Sequence, residues 1–583
     1  MTDKLQAYHE GTTPIGDTNR LWPLYGAGLE NLGQEGQPID VPAPTCGPDE
    51  LLIRHDAIGL CFSDIKVIKQ GPNHPRIGRD MVKEPVVLGH EVSLTVVGVG
   101  ENLRDEYKIG DRFIVQAEIN VKGFNMAYGY RLQGGLSGYN VIDQRILNGD
   151  DGNYLIPVQP ATGYAESALT EPWACVTAAY GLKYRHGLKA GGTAWIVGGP
   201  TGVRGQESGG RGQGSGDSSY TISAGFDAQS HPGRLLLTQV PTAFEAWLRE
   251  RSAALGIEVV AVADPAAVDV PMDDLILLAP DAELIEATSP KLADFGVCAL
   301  IGEAPLARKV NVDVGRVHYN RWVYVGGTSP DVARAYADHP VRSALRQGGS
   351  AWFIGAGGPM GRMHVQRAIQ VAGGPAVIVC TDVSDLRLAD LQESYGAEAA
   401  EKGIEFICLN PMNKDAYAEG MASFREGGFD DVIVLAPVPA LIADGATWLA
   451  PEGVMNVFAG VGRGTMAPLD LGEAYLKQTR VIGHSASSID DLREMLFLAE
   501  TGSLSPNRSV AAIGSLEAAR DGMQALMDTT YPGKVVIYPH IKPLPLTAIS
   551  DLKETLPAVY AKLKDGREWT NEAEAELLRL MLE

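Results

Sequence analysis

Four residues in the first third of the chain have side chains that can bind a metal ion. They are a thiol, an imidazole and two carboxylates: Cys61, His90, Glu91 and Glu171. These ligand types suit zinc, and three protein ligands that leave one position open are typical of a catalytic zinc site. Composition alone favours the alternative of a core cysteine and a hydrogen-bonded core histidine, and the spacing by itself does not overturn that interpretation.

A glycine-rich segment has the order of residues that binds dinucleotides. Residues 355–361, Gly-Ala-Gly-Gly-Pro-Met-Gly, follow an apolar strand and open a helix. Small residues let the backbone approach a pyrophosphate, and the helix N-terminus offers N–H groups. The next strand, at 377–380, leads to Asp382, and an acid there suits the ribose of NAD and repels a 2′-phosphate. A tight turn followed by a helix cap is the alternative.

The residues that we assign to NAD binding on this basis are Gly355, Gly357, Gly358, Pro359, Met360, Gly361, Asp382 and Arg387.

The middle of the chain contains two copies of one domain-sized segment. Stretches that begin at residues 191, 273 and 326 recur at 348, 430 and 483, always 157 residues later. The first pair reads Gly-Gly-Thr-Ala-Trp-Ile-Val-Gly and Gly-Gly-Ser-Ala-Trp-Phe-Ile-Gly. A constant offset across three separated stretches indicates a tandem repeat.

The two copies differ where a cofactor would bind. The first keeps a glycine turn at 198–202, but its second strand, at 235–239, ends without a carboxylate. We therefore expect NAD at the second copy only, and a structural or substrate-wall role for the first. Residues 204–233 are rich in glycine and predict a flexible insertion, with a functional lid as the alternative.

The pattern of elements predicts an α/β protein. Short strand candidates between residues 50 and 145, separated by Gly, Asp and Asn turns, indicate a small barrel. From residue 191 strands alternate with helices, which is typical of a parallel sheet. A helix is predicted over 163–185, and a last helix is predicted with Asn571 as its N-cap and Glu574 at its third position.

Composition argues against two classes of partner. The net charge of −23 opposes binding to nucleic acids and to anionic membranes, because neutralising phosphates requires clustered Lys and Arg. No apolar run approaches the ~20 residues of a membrane span, and the first residues form no signal segment. Six scattered cysteines without a CxxC pair predict reduced thiols in a cytoplasmic protein.

Several motifs together resemble the zinc-dependent medium-chain dehydrogenases, the superfamily of alcohol, polyol and threonine dehydrogenases. The motifs are Gly-Leu-Cys-Phe-Ser-Asp at 59–64, Gly-His-Glu at 89–91, Gly-Asp-Arg-Phe at 110–113 and Glu-Pro at 171–172. Within that superfamily the chain looks most like sugar, polyol or sugar-phosphate members such as sorbose-1-phosphate reductase. The resemblance implies a GroES-like catalytic domain formed by 1–187 with 506–583. It also implies two Rossmann-like parallel-sheet domains, a degenerate one at 188–346 and an NAD-binding one at 347–505.

The resemblance also implies roles for single residues. Zinc would bind Cys61, His90 and Glu171, with Glu91 as an occasional ligand or a neighbour of the site. Ser63 matches the hydroxyl that passes on the substrate proton, and Asp64 matches a residue that fixes the histidine ligand. Lys66 stands where many alcohol dehydrogenases end the proton relay with histidine. We expect one catalytic zinc and no structural zinc, because 114–145 lacks the four cysteines of the structural site.

We therefore expect a cytoplasmic, homo-oligomeric oxidoreductase, a dimer or tetramer. It would move hydride between NAD and a secondary alcohol or ketone, with a small polyol, sugar or sugar phosphate as substrate. One alternative is an epimerase or lyase that retains NAD and oxidises a sugar transiently. A second is a binding protein on a dehydrogenase scaffold. Five basic residues between the cysteine and the histidine are candidates for a substrate phosphate or for a solvated loop, and they are Lys66, Lys69, His74, Arg76 and Arg79.

Overall fold

The computed structural model of the protein describes residues 2–199 and 220–583. The chain forms two compact units. The first comprises Met1–Ala178, Gly358–Val371 and Ala486–Glu583, and the second comprises Ala179–Gly357 and Ala372–Ser485. In the part of the chain that is described, no helix has the length and apolar composition needed to cross a membrane.

An eight-stranded, largely antiparallel sheet dominates the first unit. Its two long strands, Leu51–Gly59 and Glu91–Val99, are buried over nearly their whole length and pair with two shifts in register. Such bulges increase the local twist, which bends a sheet towards a barrel. The other strands are Arg112–Val115, Tyr139–Ile142, Leu155–Pro157, Val510–Ser515, Lys534–Tyr538 and Thr547–Ala548. The predicted barrel therefore draws three of its strands from residues beyond 505.

Short strand pairs and helices complete the first unit. The pairs are Thr18–Leu21 with Ile39–Pro42, Pro23–Leu24 with Val86–Val87, and Asn120–Val121 with Phe124–Asn125. The helices are Thr2–His9, Phe62–Gln70, Gln144–Leu147, Tyr164–Ala168, Thr170–Ala178, Pro359–Gln370, Ile489–Glu500, Ala519–Met527, Leu552–Thr555, Pro557–Tyr560 and Asn571–Met581.

Two helix predictions need correction. The helix expected over 163–185 is two short helices that end at residue 178, before Gly181. The cap of the last helix is Thr570, whose hydroxyl accepts a hydrogen bond from the Ala573 N–H, so the prediction of Asn571 is wrong. Glu574 is buried and accepts bonds from the N–H groups of Tyr164 and Ala165, which explains why it does not cap its own helix.

The second unit contains two six-stranded parallel sheets, and both have the strand order 3-2-1-4-5-6 of dinucleotide-binding domains. The first-repeat sheet consists of Thr193–Gly198, Arg234–Thr238, Glu258–Ala261, Met272–Leu278, Leu292–Ile301 and Val323–Gly327. The second-repeat sheet consists of Ser350–Ile354, Val377–Thr381, Glu405–Leu409, Phe429–Val434, Leu449–Val457 and Arg480–Gly483. Helices of this unit are Thr242–Leu255, Ala282–Thr288, Val314–Asn320, Val332–Ala337, Asp385–Glu401, Lys414–Gly420, Pro439–Ala446 and Glu473–Leu476. The predicted α/β class with Rossmann-like sheets is confirmed.

The repeats share their internal contacts as well as their strand order. Trp195 donates its indole N–H to Thr238, and Trp352 donates to Thr381 in the same way. These matched contacts align the ends of the two second strands, so the residue after Thr238, Gln239, is the counterpart of Asp382. The first repeat thus carries an amide where the second carries a carboxylate.

A short antiparallel ladder joins the two repeats. Val310–Asp313 pairs with Met466–Leu469, and Asn311 lies opposite Pro468 at its centre. These two central residues are themselves repeat counterparts, 157 positions apart at 311 and 468. The ladder therefore maps onto itself when the repeats are exchanged, which is the property of a two-fold symmetric interface.

The glycine-rich insertion of the first repeat is described only from residue 220. Between Thr193–Gly198 and Arg234–Thr238 the described residues form no helix, and residues 200–219 lie outside the description. Ile222 and Phe226 are buried in the core of the first repeat. The prediction of a flexible insertion over 204–233 is therefore wrong for its last part, because apolar side chains anchor that part.

Candidate metal and cofactor sites

Cys61 lies at the junction of a barrel strand and a helix. It caps the helix Phe62–Gln70, and its Sγ accepts a hydrogen bond from the Ser63 N–H at 3.5 Å. The Cys61 N–H donates to Asp64 Oδ2 at 3.1 Å. This reciprocal capping box fixes the thiol at the first turn of the helix.

Asp64 also holds the second ligand segment. Its Oδ1 accepts a bond from the Gly89 N–H at 3.4 Å and lies 3.3 Å from His90 Nδ1. Burial lowers the pKa of His90, but the nearby charges of Asp64 and Cys61 outweigh burial and raise it overall. Asp64 therefore faces one nitrogen of the imidazole, and its role as the residue that orients the histidine stays a prediction.

Three of the predicted metal-binding residues come together. One donor atom each of Cys61, His90 and Glu91 lies within 4.8 Å of the others. Glu91 Oε1 accepts a bond from Lys534 Nζ at 2.5 Å, whereas the buried Oε2 has no hydrogen-bond partner among the described residues. A thiol, an imidazole and an unpartnered carboxylate oxygen form a donor set that suits zinc.

Lys534 is a site residue that the sequence reasoning missed. It is almost fully buried, and its ammonium group also donates to the Leu60 carbonyl at 2.8 Å. Burial lowers the pKa of Lys534, and the Glu91 carboxylate more than offsets this effect and raises it. The available signal was a lysine at the start of an otherwise apolar strand, Lys-Val-Val-Ile-Tyr.

Glu171 lies near the trio without belonging to it. It is half-buried on the helix Thr170–Ala178, and among the described residues the compact donor group contains only the other three. Burial raises the pKa of Glu171 to about 7, the charge of His90 opposes this rise, and Glu91 adds to it. The Glu171 carboxyl therefore shares the electrostatic environment of His90 and Glu91.

The candidate relay residues lie on the helix that begins after the cysteine. Ser63 is in its first turn, and Lys66 follows three positions later, which is the spacing of neighbours on one helix face. Both side chains are half-buried. Tyr130, which the sequence reasoning also missed, packs its ring 5.8 Å from the ring of His90.

The second-repeat glycine loop is tightly held by the acid that follows the second strand. The Gly357 N–H donates to Asp382 Oδ2 at 3.0 Å, and the Ser384 N–H donates to Oδ1 at 3.0 Å. A Cβ added at Gly357 would lie 2.6 Å from the Cβ of Arg387, so no larger residue fits there without a shift. Gly355 has φ 83°, a conformation that favours glycine.

The remaining loop residues begin the helix Pro359–Gln370. Gly358 is its N-cap, Pro359 occupies the first position, and Met360 and Gly361 follow. A Cβ at Gly358 would meet no described atom within 4 Å. Because the helix begins here, its first N–H groups have no carbonyl partners within the helix, and such groups bind phosphate.

The corresponding turn of the first repeat is different. A Cβ at Gly198 would lie 2.0 Å from the carbonyl oxygen of Gln239, so the backbone after the second strand closes on the turn. Gln239 has φ 50° and replaces the carboxylate of the second repeat. The predicted residues Pro200, Thr201 and Gly202 lie outside the described residues.

Comparisons with known proteins agree with this architecture. Residues 47–149 match the alcohol dehydrogenase GroES-like domain. The chain is 22% identical to mannitol-1-phosphate 5-dehydrogenase of Aliivibrio fischeri, over 92% of this chain and 93% of that protein. It is 24% identical to an uncharacterized protein of Escherichia coli, over 88% and 85% of the two chains.

A shorter match is closer in sequence. The chain is 28% identical to L-sorbose 1-phosphate reductase of Klebsiella pneumoniae, over 40% of this chain and 56% of that protein. Together with the GroES-like domain and the two Rossmann-like sheets, these similarities support a protein of the medium-chain alcohol and polyol dehydrogenase type.

Proposed function

We propose that the protein is a zinc-dependent NAD(H) oxidoreductase that interconverts a secondary alcohol and a ketone, with a polyol, sugar or sugar phosphate as substrate. The observation that carries this proposal is the compact group of half-buried Cys61 and buried His90 and Glu91, in which one Glu91 oxygen has no hydrogen-bond partner among the described residues. The names of two relatives, a mannitol-1-phosphate 5-dehydrogenase and an L-sorbose 1-phosphate reductase, support the substrate class.

The donor groups of this site would hold one zinc ion. Cys61 and His90 are the two ligands common to both possible sets, and Glu91 or Glu171 completes the set. When bound, the metal would polarise the substrate oxygen as a Lewis acid. Asp64 keeps the imidazole oriented, and Lys534 neutralises the Glu91 carboxylate in the barrel interior.

The chain's own residues would handle the proton. Ser63 takes it from the substrate hydroxyl while it gives its own proton to water, because Lys66, one turn further along the helix, has an ammonium group without an acceptor atom. Such a transfer lets the substrate oxygen lose its proton as the hydride leaves.

The second repeat would bind NAD, the group that accepts or supplies the hydride. Asp382 uses both carboxylate oxygens on backbone N–H groups, and each oxygen keeps a second lone pair for a ribose hydroxyl. Gln239 lacks that charge, and this supports a structural role for the first repeat. We also propose that the protein is a cytoplasmic homo-oligomer, consistent with six cysteines that all carry free thiols within the described ranges.

The test is an NAD-reduction screen over polyols, their phosphate esters and simple alcohols, with zinc measured on the same sample. We expect NADH formation with at least one polyol or sugar phosphate. Interconversion of sugars without net NADH would favour the epimerase alternative. Absence of both zinc and turnover would favour a binding protein.

A further inference from the structure

A group of basic side chains lies one aromatic ring away from the candidate metal ligands. The ring of Tyr130 lies 5.8 Å from the ring of His90. It also lies 5.8 Å from the ring of His74, and the Arg76 guanidinium stands 5.3 Å from its centre. The ring of Tyr130 therefore neighbours both a candidate metal ligand and two of the basic side chains.

The structure divides the five basic candidates of this segment into two sets. Arg79 has a structural role, because it donates to the carbonyls of Arg131, Pro85 and Tyr130. Lys69 is exposed and lies 5.8 Å from the ring of Phe62. Lys66, His74 and Arg76 remain, and all three are half-buried.

Glu118 holds Arg76 in place. Its Oε1 accepts a bond from Arg76 Nη1 at 2.5 Å, and its Oε2 accepts one from Asn125 Nδ2 at 2.7 Å. The backbone N–H of Arg76 also donates to His74 Nδ1 at 3.3 Å, which holds the imidazole next to Arg76. An arginine supported in this way loses little side-chain freedom when it binds an anion.

The basic groups are close enough to repel one another. Burial lowers the pKa of His74, and the charges of Arg76 and Lys66 lower it further. This concentration of positive charge stands out in a chain whose net charge is −23. Glu118 offsets part of this positive charge through its ion pair with Arg76, and a bound anion would offset more of it.

We propose that Lys66, His74 and Arg76 bind the phosphate of a phosphorylated polyol or ketose whose reacting oxygen lies at Cys61, His90 and Glu91. This inference rests on the proposed function and narrows its substrate class. The planar guanidinium donates to two phosphate oxygens, the ammonium group supplies a point charge, and the imidazole adds a hydrogen bond. Tyr130, whose ring neighbours His90, His74 and Arg76, would line the path of the carbon chain.

Binding is tested on the full-length, zinc-loaded protein by calorimetric titration with mannitol 1-phosphate and with mannitol, each with and without NADH. We expect the phosphate ester to bind roughly 10- to 100-fold more tightly, as charge-assisted hydrogen bonds imply. Arg76→Ala should remove most of this preference, and Arg76→Lys should restore part of it. Lys69→Ala, a nearby exposed lysine, should leave the preference unchanged.

Equal affinity for the two ligands, no binding of the ester, or an equal loss for both in Arg76→Ala would overturn the inference. Turnover measured in parallel separates it from the proposed function. Tight, Arg76-dependent binding of the ester without NADH formation from any polyol would refute the oxidoreductase and leave the phosphate site. NADH formation from both ligands, with the same kcat/KM for the two in the wild type and in Arg76→Ala, would support the oxidoreductase and refute the phosphate site.

Discussion

Asp64 links two segments that carry candidate metal ligands and are 29 residues apart, at positions 61 and 90. One oxygen accepts from the Cys61 N–H, and the other lies against the Gly89 N–H and His90 Nδ1. A single buried carboxylate thus sets the position of a thiol and the orientation of an imidazole. Such support of the ligands by their neighbours is a major determinant of metal affinity.

At the residue scale we expect Cys61→Ser or His90→Ala to abolish metal binding and turnover. The wild type should hold about one zinc ion per chain. Each variant keeps only two of the protein ligands, and such a site binds zinc far more weakly. Elemental analysis after dialysis and circular dichroism would measure metal content and folding. Cys46→Ser is the matched control, because Cys46 is also a half-buried free cysteine, near Gly98 at the opposite end of the strand Glu91–Val99. Full activity in both ligand variants would contradict the assignment.

Lys534→Met should strongly destabilise the metal-free protein. The substitution leaves the Glu91 carboxylate buried without its cation, which costs about 3–5 kcal/mol. Urea unfolding in the presence of a chelator measures the loss, and the added change Glu91→Gln should recover much of it. Lys542→Met, at an exposed lysine, should change stability by less than about 0.5 kcal/mol. A similar effect of the two lysine substitutions would refute the role of this ion pair.

At the scale of elements, the two repeats form the same sheet and differ at the end of one strand. Thr238 and Thr381 make matched bonds to tryptophans, and the next residues are Gln239 and Asp382. The strand and its packing are conserved between the repeats, whereas the charge that would meet a ribose is present only once. We therefore expect the difference in cofactor binding between the repeats to depend on the loop that follows the strand.

This difference gives a matched pair of variants. Asp382→Ala should weaken NAD binding about tenfold, the equivalent of one or two lost hydrogen bonds. It should also reduce the preference of the protein for NAD over NADP. Asp382→Asn separates charge from shape, because it keeps an acceptor oxygen but removes the repulsion of a 2′-phosphate. Gln239→Ala should leave both affinities unchanged. Fluorescence titration with NADH and NADPH measures all three, and a wild type that prefers NADPH would exclude this role of Asp382.

At the scale of the whole molecule, the chain carries its duplicated domain as an internally symmetric pair. The ladder centred on Asn311 and Pro468 uses equivalent residues of both repeats. A first repeat that covers the edge of the second in this way has a structural reason to persist without a cofactor. The duplication therefore does not by itself imply two NAD sites.

We accordingly expect one NAD per chain. Gly357→Trp should eliminate binding, because even a Cβ at that position would lie 2.6 Å from Arg387 and 2.9 Å from Asp382. Gly199→Trp should preserve the stoichiometry at reduced stability, since a Cβ there would lie 2.5 Å from the Ala279 carbonyl. Calorimetric stoichiometry with a parallel unfolding measurement tests both. Two equivalent sites in the wild type, or loss of NAD only in the Gly199 variant, would mean that the first repeat binds the cofactor.

The amino-acid sequence by itself determined the duplication, the parallel-sheet class, the glycine loop with Asp382 and the motif residues Cys61 and His90. These features depend on periodicity, turn chemistry and short spacings, which are local properties of the chain. Only the tertiary structure decided that Lys534 pairs with Glu91, 443 residues away in the chain. It also decided that the Arg79 side chain donates hydrogen bonds to backbone carbonyls and that Thr570 caps the last helix. Contacts between distant segments are set by how the sheets and helices pack, and no local pattern encodes that packing.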